Sequence, residues 1–438
     1  MAIKVAKFGG SSLADANQFK KVKNIIEADD ERRFIVASAP GKRSADDIKV
    51  TDMLYDCYEK AIEDEDFDEN FAKVKERYNG IINDLGIDLS LDEDFEKIKS
   101  SFFAMAGRDY AASRGEYLNS KILAKYLGFD FIDAAKYIFF NDRGEFDWEK
   151  TKSKLRPKLE NMEGKAVIPG FYGSMPNGTI KTFSRGGSDI TGSIVARACH
   201  ADLYENWTDV SGFMIADPRV IKDSKPIKTI TYTELRELAY MGAGVLHEDA
   251  IFPVRSAGIP INIRNTNIPD DPGTMIVSDT AEKSEYIITG IAGKRGMSVI
   301  NIEKDKMNSE VGFGRNVLRA LEKSEVSFEH MPSGVDTMSV VIQSDNLKGH
   351  ENEIMDEIKS RVHPDQLYIE NDLALITVVG RGMKSARGTA GILFKALADA
   401  RVNVKMIDQG SSELNIIVGV AEEDFDIAMK AIYDAFIK

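Results

Sequence analysis

Over the first two thirds of the chain, short apolar runs alternate with stretches of helical periodicity. The runs at 3–8, 34–39, 129–133, 166–169, 203–207 and 261–264 are strand-sized. They are continuous rather than alternating, the pattern of strands buried on both faces. Helices are predicted over 14–28 and 190–199, and a mostly helical insertion over 57–104. The acidic run 63–69 within that insertion reads as a solvated face or loop. This rhythm predicts an α/β fold, a mainly parallel sheet sandwiched by helices, with functional loops at the carboxyl ends of the strands.

Around Asp270-Asp271-Pro272-Gly273 the pattern loosens and another begins. Strand 298–303, helix 311–323, strands 326–331 and 337–343 and helix 349–361 form one set. Strand 373–379, helix 389–400, strands 402–407 and 413–420 and helix 425–436 repeat it. This is an internal repeat of βαββα units. A ferredoxin-like module is βαββαβ, and the second copy lacks its last strand. The unpaired stretch 286–291 supplies it, which inserts the first module within the second. The expected domains are therefore 1–284, then 297–365, then 285–296 joined with 366–438.

Composition narrows the function. With 43% hydrophobic and 29% charged residues, the chain has ordinary globular content, and 438 residues suit two or three domains. A net charge of −14 argues against non-specific nucleic-acid binding and against an anionic membrane surface. Anionic substrates must then be held by local cations. No apolar run reaches the roughly 20 residues that cross a bilayer, and the amino terminus reads as a strand and not a signal peptide. A cytoplasmic location is expected. Cys57 and Cys199 are too few for a disulfide framework, and the five histidines show no ligand spacing, so no structural metal is expected.

Three phrases carry chemistry. Residues 184–189 read Ser-Arg-Gly-Gly-Ser-Asp ahead of a predicted helix. Gly186 and Gly187 permit close backbone approach, the helix start offers free N–H groups, and Arg185 offers a fork for a carboxylate or phosphate. Taken alone, such a loop also reads as a plain helix cap. The first strand carries Lys7 into Gly9-Gly10-Ser11-Ser12, a natural phosphate cradle. The third phrase is Trp207-Thr208-Asp209-Val210-Ser211-Gly212, followed by Ala216-Asp217-Pro218-Arg219. There is no Gly-Lys-Ser/Thr P-loop, and Gly312-Phe313-Gly314 lacks the third glycine of a dinucleotide fingerprint.

In this order the three phrases resemble the amino-acid kinase family, specifically its aspartate kinase branch, and the repeat resembles a pair of ACT modules, which bind regulatory amino acids. The resemblance spans nearly the whole chain. It implies transfer of the γ-phosphoryl group of ATP, with Mg2+, to the side-chain carboxylate of L-aspartate. The product would be 4-phospho-L-aspartate, on the way to lysine, threonine and methionine. The resemblance implies that Lys7 and Asp189 are catalytic, Lys7 touching phosphate and Asp189 orienting the lysine or magnesium. Arg185 would take the aspartate α-carboxylate and Glu116, in Ser113-Arg114-Gly115-Glu116, the ammonium, with Ser38, Thr51 and Gly186 lining the pocket. The nucleotide would lie against Lys7, Gly9, Gly10, Ser11, Thr208, Asp209, Met214, Asp217 and Arg219, although Asp217-Pro218-Arg219 also reads as a structural turn. An effector, lysine or threonine, is expected against Met307, Glu310, Gly312 and Phe313 and the strand residues Ser327, Phe328 and Glu329. A homodimer through these modules is expected as well.

Two positions depart from the family pattern. Gly244 stands where the family has a lysine reaching the ATP phosphates, and Met214 where it has an aromatic residue. Two alternatives stay open: a family member acting on glutamate or acetylglutamate, and an amino-acid sensor with weakened catalysis.

Overall fold

The structure is a computed structural model that describes residues 2–184, 186–243, 246, 248–280 and 285–438. The chain divides into two compact units. One comprises Met1–Phe213, Pro226–Tyr232 and Val245–Thr280; the other comprises Met214–Lys225, Thr233–Gly244 and Ala281–Lys438.

The elements up to residue 280 are β1 (Lys4–Phe8), α1 (Ala16–Glu27), β2 (Arg32–Ala37), α2 (Val50–Ile62), α3 (Asp68–Leu85), α4 (Asp92–Phe103) and α5 (Arg108–Leu127). There follow β3 (Asp130–Phe131), α6 (Trp148–Glu160), β4 (Ala166–Pro169), β5 (Tyr172–Ser174), β6 (Ile180–Thr182) and α7 (Gly187–Ala198). Last come β7 (Leu203–Thr208), β8 (Thr229–Thr231), α8 (Tyr232–Tyr240), α9 (Glu248–Ala257), β9 (Ile261–Asn265) and β10 (Thr274–Val277). Eight strands form one sheet in the order β3-β4-β2-β1-β7-β9-β10-β8. Every pairing is parallel except β9 with β10. β1 sits centrally, its apolar residues fully buried, which is why its run is continuous. The carboxyl ends of β1, β2, β4, β7 and β9 share one edge, so Gly9, Ser38, Gly170, Thr208 and Thr266 emerge on the same side.

Sequence and structure differ at several boundaries. Helix 14–28 is a 3-10 turn at Gly10–Leu13 followed by α1, whose N-cap Asp15 accepts from the Gln18 amide. β3 keeps only two residues. The insertion folds as α2 to α4 around Phe67, Phe71, Phe95 and Phe102, with exposed residues 63–66 looping between helices. α5 is buried on nearly all sides, polar Ser113, Glu116, Asn119 and Ser120 included, and those residues need partners there.

The second unit adds β11 (Gly290–Glu303), α10 (Phe313–Lys323), β12 (Thr337–Gln343), α11 (Ser344–Leu347), α12 (Glu351–Val362), β13 (Gln366–Val379), α13 (Thr389–Asp399), β14 (Met406–Asp408), β15 (Asn415–Ala421) and α14 (Phe425–Ile437). All five strands form a single antiparallel sheet, β12-β11-β13-β15-β14. β11 and β13 run through both repeats. Residues 290–294 pair with 375–379, residues 297–303 pair with 366–373, and the register breaks between the two halves. The strand missing from the second repeat thus comes from ahead of the first, at 290–294 and not at 286–291.

The expected strand 326–331, carrying Ser327, Phe328 and Glu329, is not a strand. Among the described residues it meets β12 at the isolated bridge of His330 with Val341, and a second bridge, Ser333 with Met338, lies just past it. Glu325 enters with a positive φ of 54°, and Pro332 has no N–H to continue a ladder.

Candidate active site

Lys7, near the end of β1, lies in register with Asn206 on β7. Its Nζ is 2.5 Å from Asp189 Oδ1 and 3.4 Å from Asn206 Oδ1. The Asn206 amide donates to the same Asp189 oxygen at 2.9 Å. Both charged side chains are largely buried, at 9% and 17% exposure, so the pair is strongly coupled. Helix α7 starts at Gly187, earlier than its apolar periodicity suggests, and its N-cap is Gly186 with a left-handed φ of 62°. Asp189 therefore falls in the first helical turn and does not cap it. Asn206 was missed in the sequence, where the only signal was an amide inside a strand otherwise fit for burial.

The Gly9-Gly10 turn passes close to a neighbouring loop. Gly41 N donates to Gly10 O at 2.8 Å, and a Cβ on Gly41 would fall 2.6 Å from the Gly10 carbonyl carbon. Only glycine fits that crossing. Gly9 N is tied to Trp207 O, and Ser12 Oγ meets Thr266 Oγ1 at 2.7 Å, while Ser11 remains half-buried. The loop is thereby fastened to the ends of β7 and β9 beside Lys7.

A second group gathers on α5. Glu116 is only 6% exposed and accepts from the Ala39 amide. Its Oε2 has no partner among the described residues, and neither do Asn119 Oδ1 and Ser120 Oγ. Burial pushes the Glu116 carboxyl up to about 8, only partly offset by the Ala39 hydrogen bond and the nearby Arg114 charge. The Asn119 amide donates to Ser38 O at 2.7 Å. A Cβ on Gly115 would sit 2.8 Å from Ala39 Cβ and 3.7 Å from Thr51 Oγ1. Ser38, Thr51 and Glu116, distant in sequence, thus line one small region. Asn119, one helical turn after Glu116, had no signal in the sequence beyond that spacing.

Other expected residues fare differently. Arg185 and Gly244 lie outside the described residues. Thr208 Oγ1 donates to Asp209 Oδ1 at 3.2 Å at the end of β7. Met214, Asp217 and Arg219 belong to the second unit. There Asp217 accepts from the Arg219 amide and pairs with its guanidinium at 2.6 Å, which holds the Asp217 carboxyl below its usual range. These contacts are those of a self-contained turn.

In the regulatory repeat, Met307 and Phe313 are buried, Gly312 caps α10 with a φ of 87°, and Glu310 pairs with Lys304. Glu329 lies 3.4 Å from Lys294, whose ammonium also stacks 4.3 Å over the Tyr240 ring. Both carboxylates expected to meet an effector ammonium already hold a lysine.

The geometry thus brings together a buried lysine–aspartate pair between a glycine turn and a helix N-terminus, and on α5 a buried carboxyl whose Oε2 has no partner among the described residues. Residues 2–265 match the amino acid kinase family, and residues 376–436 match the ACT domain. The chain belongs to the amino acid kinase family. Over 99% of its length it is 38% identical to Aspartokinase 3 of Bacillus subtilis (strain 168), covering 98% of that protein. It is 54% identical to the aspartate kinase of Clostridium acetobutylicum, an allosteric enzyme, with both chains fully covered and a TM-score of 0.93. Against E. coli aspartokinase III bound to lysine and aspartate in its T-state, identity is 25%, coverage 100% of each chain and the TM-score 0.74. These relatives place it among the aspartokinases.

Proposed function

We propose that this chain transfers the γ-phosphoryl group of ATP to the side-chain carboxylate of L-aspartate, yielding ADP and 4-phospho-L-aspartate. The observation that carries the reading is the buried Lys7–Asp189 pair at the carboxyl edge of β1. The nucleophile is a carboxylate that loses its proton at about pH 3.9 in water, so it is already ionised. No general base is required. A carboxylate oxygen bonds to the γ-phosphorus as the bond to the bridging oxygen breaks, and ADP takes up that charge. What the protein must supply is alignment of two anions and neutralisation of the charge moving between them.

Lys7 supplies the positive charge, with the Gly9 and Gly10 turn against the phosphates. Asp189, held by Asn206, keeps the Lys7 ammonium aimed. Mg2+ would accompany the ATP phosphates, which provide the oxygen ligands it prefers, and Asp189 would help to orient it. Glu116 takes the aspartate ammonium, its unpartnered Oε2 supporting that role, and Arg185 takes the α-carboxylate, beside Ser38, Thr51 and Gly186. Thr208 and Asp209, at the end of β7, serve the nucleotide. Lysine or threonine regulates through the ACT repeat, in a homodimer. A coupled assay with ATP, Mg2+ and L-aspartate, trapping the acyl phosphate with hydroxylamine, tests the reading. Absence of hydroxamate with aspartate, or equal product with glutamate, overturns it.

A further inference from the structure

Two consecutive residues of α3, in the helical insertion, reach the loops that build the site. The core-facing side of α3 carries Phe71, Val74, Tyr78, Ile81 and Ile82, spaced as one face of a helix. Arg77 is buried beside them at 6% exposure, and Tyr78 is fully buried. A buried guanidinium is costly unless it is paired and hydrogen-bonded. Arg77 Nη1 donates to Asp47 Oδ2 at 2.8 Å, and Nη2 donates to Gly41 O at 2.7 Å and to Ala14 O at 3.0 Å. Asp47 is itself fixed, since Arg43 Nε and Nη2 donate to it at 2.9 and 3.0 Å.

The two carbonyls held by Arg77 frame the glycine turn. Ala14 closes the 3-10 turn Gly10–Leu13, and Gly41 donates its amide to Gly10 O. Arg77 thus grips the far end of the turn and the loop that crosses its start. Tyr78 reaches the other half of the site: its hydroxyl donates to Gly115 O at 2.8 Å, on α5 next to Glu116. Between the two grips run residues 39–41. The Ala39 amide donates to the Glu116 carboxyl, and the Gly41 amide to Gly10. Three loop residues therefore join the glycine turn to Glu116. α3 is fastened to Gly41 at one end of them and, at the other, to Gly115, which packs against Ala39.

We propose that Arg77 and Tyr78 are positioning residues that set the spacing between phosphoryl donor and acceptor, so that the insertion acts in catalysis through the loops it braces. Their role rests on the reading above, with ATP phosphates at Gly9 and Gly10 and the aspartate ammonium at Glu116. Neither side chain touches a substrate. Bringing two anions together demands alignment, and a displacement of about 1 Å caused far from the chemistry can cost roughly 100-fold in rate. Arg77 acts on the donor side, through Gly41 and Ala14. Tyr78 acts on the acceptor side, through Gly115.

The test is steady-state kinetics of the full chain in both substrates, with calorimetric binding of a non-hydrolysable ATP analogue and melting curves in parallel. Tyr78→Phe removes one hydroxyl. It should raise the aspartate KM and lower kcat, each roughly three- to tenfold, with the ATP KM and analogue affinity near the parent's. Arg77→Lys keeps a charge beside Asp47 but lacks the fork that reaches Gly41 and Ala14 together. It should lower kcat roughly 10- to 100-fold and weaken the analogue roughly tenfold, with the aspartate KM unchanged. Arg77→Met should lose more activity than Arg77→Lys; if it does not fold, Arg77→Lys and Tyr78→Phe decide. A brace for stability alone would lower the melting temperature and leave kcat and both substrate constants at parent values, and that result overturns the proposal. Equal loss toward both substrates in each variant overturns it too. Lys7→Ala and Glu116→Gln serve as controls. If they also keep parent kinetics, the site reading itself fails; if they lose activity while Arg77→Lys and Tyr78→Phe do not, this inference alone fails.

Discussion

Asn206 donates its side-chain amide to Asp189 across 2.9 Å while its own oxygen lies 3.4 Å from Lys7 Nζ, so one neutral residue spans both members of the charged pair. Lys7→Ala and Asp189→Ala should therefore lower kcat by roughly 100- to 1000-fold, the scale of losing one preorganised charge at a transition state. Asn206→Leu removes only the bridge. Its kcat should fall about tenfold with the aspartate KM little changed, since a single hydrogen bond is involved. Steady-state kinetics with parallel melting curves decide the matter. Near-native turnover in Lys7→Ala or Asp189→Ala would sink the assignment.

Glu116 gives a pH signature. Its carboxyl is raised from an ordinary 4.5 to about 8, chiefly by burial. Near neutrality burial holds it protonated, and capture of an ammonium requires its ionised form. The aspartate KM should then fall as pH rises from roughly 6.5 through about 8, with proton release on binding. Stability runs the other way. A carboxyl with a raised folded pKa binds more protons folded than unfolded, so stability declines from about pH 4.5 to about 8 and then levels. Glu116→Gln should flatten both curves. A KM independent of pH in the wild-type chain would remove Glu116 from the ammonium role.

A buried ion pair anchors the sheet beneath the site. Arg32 Nε and Nη2 reach Glu205 at 2.7 and 3.0 Å, Trp207 Nε1 donates to the same carboxylate at 2.9 Å, and Glu205 is 1% exposed. Breaking one side strands a buried charge, so Glu205→Ala or Arg32→Ala should cost about 3–5 kcal/mol in urea unfolding. Replacing both, as Arg32→Met with Glu205→Leu, should recover most of that loss. Equal destabilisation by the double change would show that packing and not charge is at stake.

Regulation is tested by titrating lysine and threonine separately against activity. Glu329 is paired with Lys294, so an effector ammonium must displace that lysine. Glu329→Ala should raise the half-inhibitory concentration of the active effector roughly tenfold or more, with activity in its absence intact. Unchanged activity with both amino acids at millimolar concentration would remove this site while leaving the kinase reading in place.

Much of the fold was legible because buried parallel strands announce themselves as continuous apolar runs. Ala166–Pro169 falls where its apolar run puts it, and the antiparallel strand Thr337–Gln343 also falls where expected. Edges were harder. The segment at 326–331 has strand-like composition, but Pro332 and the turn at Glu325 break its ladder, and composition does not register a lost partner. β11 read as two separate pieces because Arg295 and Gly296 interrupt its apolar pattern where the register shifts. In the candidate site, Lys7, Glu116 and Asp189 stood out through their glycine neighbours. Asn206 and Asn119 did not, because their part depends on which strand or loop lies alongside.

β11 and β13 each belong to both regulatory repeats, and this constrains how such a protein can be altered. Neither repeat is a cassette. Excising residues 297–365 would leave 366–373 without the strand that covers it, and it would cut β11 in the middle of its hydrogen-bonded ladder. Recombination that trades one sensor for another must exchange everything from Gly290 onward as a single block. Change within the block must proceed by point substitution, with each repeat inheriting the strains of its twin.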